Sequence, residues 1–128
     1  MPHEIEDILD GLLTAVERTQ LLENGKRRQQ HLAVGSECDD LLPVVMLFTP
    51  DAGCVWLLAS LDPADPDIGY GLCDLGMGYP ELGTVSLAEL ASVRGKLGLP
   101  VQRHPSFAPD KTISEYEKET RMLGHVEV

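Results

Sequence analysis

Val44-Val45-Met46-Leu47-Phe48-Thr49-Pro50-Asp51-Ala52-Gly53-Cys54-Val55-Trp56-Leu57-Leu58-Ala59 is the stretch whose reading decides the fold. Two continuous apolar runs, each about five residues long and so of strand rather than helix length, flank a short polar link. In that link Pro, Asp and Gly follow in turn order: Pro presets φ, Asp bonds its own backbone, and Gly accepts a positive φ. The stretch predicts an antiparallel hairpin of strands 44–49 and 55–61, closed at Pro50-Asp51-Ala52-Gly53, with Trp56 in the core.

On the C-terminal side the same logic extends the sheet. Asp62-Pro63-Ala64-Asp65-Pro66-Asp67 reads as a rigid acidic turn and Ile68 to Leu75 as a third strand. Alternation puts Tyr70, Leu72 and Asp74 on one face and Gly71, Cys73 and Leu75 on the other. Connections this short join antiparallel neighbours, which makes a meander. Gly76 to Pro80 is a loop, Leu82 to Val85 a fourth short strand, and Leu99 to Arg103 an edge strand, where Pro100 is tolerated.

Helices frame this sheet. Ile5, Ile8, Leu9, Leu12, Leu13 and Val16 recur at helical spacing. Thr14-Ala15-Val16-Glu17 has the form of a capping box, so one long helix and two short ones both fit, and Asn24-Gly25 reads as the stop. Lys26-Arg27-Arg28 would then sit at the helix C-terminus, where the macrodipole favours positive charge. Ser86-Leu87-Ala88-Glu89 opens a further helix that ends near Gly95 or Gly98, and Thr112-Ile113-Ser114-Glu115 opens a last one that runs to about Leu123. The fold class is α+β: an antiparallel β-meander of three to five strands covered by three to four helices, in one domain spanning 1–128. Residues 1–12 read as an N-terminal extension and 29–42 as a mobile loop.

Charge is the most informative part of the composition. The net charge is −11, yet Lys and Arg are absent from Gln29 through Val93, which carries ten acids. Such a field repels nucleic acid, anionic lipid and phosphorylated substrates, so no direct nucleic-acid partner is expected. No apolar run approaches the ~18 residues that span a bilayer. The start Met1-Pro2-His3-Glu4-Ile5-Glu6-Asp7 is acidic where an export signal is basic, so a cytoplasmic location without a membrane partner is expected. Cys38, Cys54 and Cys73 are an odd count without CxxC spacing, which predicts reduced thiols and no zinc, with Cys54 and Cys73 in the core.

Leu47-Phe48-Thr49-Pro50-Asp51-Ala52-Gly53, Trp56-Leu57-Leu58, Leu61-Asp62-Pro63, Asp65-Pro66-Asp67, Gly71-Leu72-Cys73-Asp74-Leu75-Gly76, Gly78-Tyr79-Pro80-Glu81-Leu82-Gly83 and Val85-Ser86-Leu87-Ala88-Glu89-Leu90 together resemble a family of small uncharacterised proteins, a domain of unknown function common on bacterial plasmids, integrated elements and phages. The resemblance runs in order from about Thr14 to Arg121 and departs at residues 1–12 and at Gln29–Leu42. It carries over no catalytic or binding residue. It implies a setting in mobile genetic elements, where small proteins serve transfer, maintenance or evasion of host defence.

Each candidate site has a plainer structural reading beside it. Asp62, Asp65, Asp67 and Asp74 would suit a divalent cation, but their spacing is not an EF-hand loop, and Asp beside Pro is a common turn former. The glycines from Gly69 to Gly83 precede strand rather than helix, which suits turns and close packing better than a phosphate loop. Ser86 is better explained as an N-cap than as a nucleophile, Cys54 as a core thiol, and His3, His31, His104 and His125 fall in loops or ends without partner spacing. Neither a cofactor nor a metal is expected, and no enzymatic activity. The expected function is a non-enzymatic acidic interaction protein of a mobile element. It would use Asp51, Asp62, Asp65, Asp67, Tyr79 and Glu81 to occupy the basic surface of a host protein or nucleic-acid-binding complex, as an anti-restriction or anti-CRISPR mimic of nucleic acid. An accessory factor in plasmid transfer or replication is the alternative, and a small metal-dependent hydrolase the third reading.

Overall fold

The computed structural model describes residues 12–35, 40–76, 80–124 and 126. In chain order the elements are α1 (Ala15–Ala33), β1 (Val45–Phe48), β2 (Val55–Leu61), β3 (Ile68–Asp74), β4 (Glu81–Ser86), α2 (Leu87–Ser92), β5 (Gln102–Arg103) and α3 (Ile113–Leu123). The strands form one antiparallel sheet in the order β4-β3-β2-β1-β5. The expected α+β meander is therefore present, and its central hairpin pairs antiparallel as expected, with Leu47 opposite Trp56 and Phe48 opposite Val55. Thr49 closes that hairpin twice: its N–H donates to the Cys54 carbonyl, and its hydroxyl accepts from the Cys54 N–H at 2.8 Å.

Alternation divides the sheet's side chains between two cores. Val45, Leu47, Trp56 and Leu58 pack on one face with Leu21 of α1 and Leu87 and Leu90 of α2. Met46, Leu57, Ala59 and Leu72 pack on the other with Ile113 and Tyr116 of α3. Trp56 is buried as expected, at 4% exposure. The sheet is thus the middle of three layers.

The N-terminal end of α1 is one of the two starts that the sequence leaves open, whereas its C-terminal end is not where the sequence places it. The Thr14 capping box is real, with the Glu17 N–H donating to the Thr14 hydroxyl and the Thr14 N–H donating to the Glu17 carboxylate at 2.8 Å. The helix starts there, and Val16, expected inward, is 80% exposed. Leu12 and Leu13, just before the cap, are in the core; the apolar positions before them lie outside the described residues. Asn24-Gly25 is no stop. Both residues are buried, and together with Leu21 they form the stripe that meets the sheet. The Asn24 amide donates to the Ala59 carbonyl at 2.9 Å, and a Cβ at Gly25 would lie 1.7 Å from the Leu61 carbonyl oxygen. Ala59 is the extra residue of a bulge in β2, between pairs Leu58–Gly71 and Ser60–Tyr70. The helix runs on through Lys26-Arg27-Arg28 to Ala33, so the basic trio sits inside it rather than at its C-terminus. The end is instead marked by Gly35, whose φ of 73° is left-handed. Residues 29–33, expected as loop, are helix, and His31 lies within it.

The other boundaries moved less. β4 is longer than expected, α2 ends at Ser92 before either glycine, and β5 is reduced to two residues beside β1. α3 has a full capping box at Thr112 and stops at Gly124, φ 81°, as expected.

Candidate functional site

The acidic residues singled out in the sequence do not form one surface. Asp62, Asp65 and Asp67 lie in the turn between β2 and β3, while Asp51 lies in the turn between β1 and β2, and Glu81 opens β4 opposite Cys73. The length of β2 separates these groups, about 20 Å at the rise of a strand. Tyr79 lies outside the described residues. Asp74 is buried at the same end as Asp51, paired with Val55, so it does not meet the Asp62–Asp67 turn. Among the described residues no three His, Cys, Asp or Glu side chains are grouped to hold a metal ion.

Several of these carboxylates have structural work. Asp67 accepts from the Ser86 hydroxyl at 2.6 Å and from the Ala88 N–H at 2.9 Å, anchoring the start of α2. Ser86 in turn accepts from the Glu89 N–H, so its role is that of an N-cap. Asp62 accepts from the Ala64 N–H and Asp65 from the Asp67 N–H, the local bonds that shape an acidic turn. Asp51 reaches across to the loop after α2, where one carboxylate oxygen accepts from the Leu97 N–H at 2.6 Å. Its other oxygen is buried against Gly95, where a Cβ would fall 1.6 Å away, and has no hydrogen-bond partner among the described residues. Asp51 is thus a clasp between two loops. Asp62, Asp65 and Glu81 remain exposed.

The remaining candidates resolve in the same way. Gly71 packs so closely on β2 that a Cβ would lie 1.9 Å from the Leu57 carbonyl oxygen, and Gly76 turns with a φ of 77°. His104 accepts from the Ser106 N–H through Nδ1 and lies edge-on to Phe48. Cys54 and Cys73 are free thiols; burial, with the charge of Glu81 beside it, pushes the Cys73 thiol up. Cys38, His3 and His125 lie outside the described residues.

What sequence reasoning missed is the space between α1 and the outer strands. Arg28 places its guanidinium 4.2 Å from the centre of the Tyr70 ring. A cleft opens on each side of this stack. One, of about 230 Å³, is lined by Gln29, Leu32, Ser60, Asp62, Ile68 and Thr84 as well as the stacked pair. The other, of about 420 Å³, is lined by Asp40, Leu41, Leu82, Ile113 and Ser114 with the same pair. Asp40 fastens its wall. Desolvation pushes the carboxyl up, but bonds from the Ser114 and Thr112 hydroxyls and the Ser114 N–H outweigh it and hold the group below its ordinary value. Nothing in the sequence signals this site, because a helix that stops at Gly25 gives Arg28 no place over the sheet.

A single antiparallel sheet between helices, with clefts beside its outer strand, defines a small α+β protein. Residues 12–127 match the family model described as a protein of unknown function, DUF2958, and the chain belongs to that family. The match covers the stretch that carries the resemblance, Thr14 to Arg121. No curated protein and no solved structure matches the chain. Among the described residues no helix is long and apolar enough to cross a membrane.

Proposed function

We propose that this chain is a non-enzymatic binding protein whose carboxylates engage the basic, nucleic-acid-binding surface of a partner protein. In the setting of a mobile genetic element, that partner is a host defence complex of the restriction or CRISPR type, and the carboxylates at the two ends of the sheet compete for it as nucleic acid would. One observation carries the reading: the whole of β1 to β4 and their turns lies within the stretch from Gln29 to Val93 that has ten acids and no Lys or Arg. A field of one sign steers an oppositely charged partner and speeds its approach. The local bonds at Asp62 and Asp65 support the reading further, since carboxylates on a fixed turn are displayed without the ordering cost of long side chains.

The test is the association rate with a purified DNA-binding defence complex as salt is raised. Exposed charge pairs fade beyond the ~8 Å screening length of physiological salt, so the rate should fall steeply. Asp67 is unsuitable for neutralisation because it anchors α2. The triple variant Asp62→Asn, Asp65→Asn, Glu81→Gln should slow association at unchanged melting temperature. A rate indifferent to both salt and these substitutions removes the proposal.

A further inference from the structure

The two edges of the sheet are unequal. β5 is two residues long and tied to α1 by the Arg103–Glu17 ion pair at 3.3 Å. β4 is six residues long and pairs with β3 in an unbroken register from Ile68–Ser86 to Cys73–Glu81. Among the described residues no strand pairs with its outer side. Natural edges are blunted by Lys, Pro, bulges or shortness. Within Glu81-Leu82-Gly83-Thr84-Val85-Ser86 there is no Lys, Pro or bulge, and the single charge is Glu81 at one end.

The register also tells which backbone groups face outward. The Leu87 N–H donates to the Asp67 carbonyl, which makes 67–87 a hydrogen-bonded pair of the ladder. Every second pair along it then bonds in the same way: Gly69–Val85, Gly71–Gly83 and Cys73–Glu81. The N–H and C=O groups of Leu82 and Thr84 therefore point away from β3. Gly83, between them, meets nothing: a Cβ there would find no atom within 4 Å. The fold has no steric need of a glycine at this position, and glycine in a strand marks places where another backbone comes close. Leu82 and Thr84 each line one of the two clefts beside the Arg28–Tyr70 stack. An added strand would thus have ladder partners at the edge and recesses for alternate side chains, the two parts of recognition by strand addition.

We propose that β4 is a docking edge for an extended segment of a partner protein, an alternating apolar strand flanked by Lys or Arg. The charge of the flanks rests on the acidic reading above; the docking edge itself does not. Asp67 and Asp62 lie toward one end of β4, and Glu81 stands at the other. A second copy would bring another net charge of −11 against the same edge, whereas basic flanks complement both ends.

A displayed library of random peptides about ten residues long, enough to span β4 with flanks, is the probe. Selection should enrich alternating apolar cores with basic ends, and the best peptide should slow hydrogen exchange at the Leu82 and Thr84 amides of the wild-type protein. Thr84→Pro removes an outward N–H without touching the β3 ladder, so it should weaken that peptide about tenfold at unchanged melting temperature. If Thr84→Pro lowers the melting temperature, exchange at the two amides in the wild type decides alone. Protection elsewhere, binding unchanged in a folded Thr84→Pro variant, or no enrichment overturns the proposal. Concentration-dependent protection of Leu82 and Thr84 without peptide also overturns it, in favour of a second copy. The acidic-surface reading fails separately: a peptide that docks on β4 with a salt-independent rate, unaffected by Asp62→Asn, Asp65→Asn, Glu81→Gln, keeps the edge and removes the charge.

Discussion

A Cβ at Gly25 would lie 1.7 Å from a carbonyl oxygen of β2, whereas a Cβ at Gly83 would have no atom within 4 Å. The first glycine stands at the seam where α1 crosses the bulged end of β2, the second on the outer strand. At the seam every group has a partner: Gln20 donates to Asn24, Asn24 donates to Ala59, and Gly25 allows the backbones to approach. The outer strand keeps the opposite character: it is regular, and among the described residues it pairs with a strand on one side alone. The contrast separates what the molecule needs in order to fold from what it leaves available to a partner.

Breaking the seam should have the largest effect. Gly25→Ala gains about 1 kcal/mol of helix propensity but forces α1 off the Leu61 carbonyl and pulls Asn24 from Ala59. A net loss of about 2 kcal/mol is expected from overpacking against backbone, read as a lower urea midpoint at unchanged slope. An unshifted midpoint would mean that α1 does not lie this close to β2.

A smaller effect is expected at the anchor of α2. Asp67→Ala leaves the Ser86 hydroxyl and the Ala88 N–H without their acceptor and should cost about 1 kcal/mol, the usual worth of a cap. Ser86→Ala in the Asp67→Ala background should then cost less than in the wild type, because the two residues act together. Additive losses in this double-mutant cycle would show that Asp67 and Ser86 work independently.

Next comes the wall of the larger cleft. The Asp40 carboxyl is held below its ordinary value of 3.8 in the folded chain. Its contribution is therefore present above that value and is lost as pH falls through the lower, folded one. Ser114→Ala should destabilise the protein slightly at neutral pH, and the difference from wild type should shrink in acid below pH 3.8. Urea titrations at neutral and strongly acidic pH provide the comparison, and a difference that persists or grows in acid would contradict it. The smallest effect belongs to the edge. Gly83→Ala should change stability by no more than about 0.5 kcal/mol, as at other open surface sites. A large loss there would reveal a contact of β4 with the chain that closes the edge.

Much of this was legible before any coordinates. The hairpin at Thr49-Pro50-Asp51-Ala52-Gly53-Cys54, the acidic turn at Asp62 to Asp67 and the caps at Thr14, Ser86 and Thr112 rest on bonds between residues two to five apart. Such bonds are written in local sequence, and the apolar runs between them set strand length and facing. Asn24-Gly25 misleads for the complementary reason. An Asn-Gly pair carries the same local signal whether it ends a helix or lets the helix touch a sheet, and only the approach of Ala59 and Leu61, more than thirty residues on, distinguishes the two.

The sequence by itself determined the class of fold, the meander of β1, β2 and β3 and the sign of the surface, because turn chemistry, side-chain alternation and charge act over neighbouring residues. Tertiary structure alone decided the length of α1, the meeting of Arg28 with Tyr70, the splitting of the acids between two ends of the sheet and the places of β4 and β5 at its edges. Each of these depends on where a helix axis crosses a twisted sheet, a relation between distant segments that the spacing of residues along the chain does not encode.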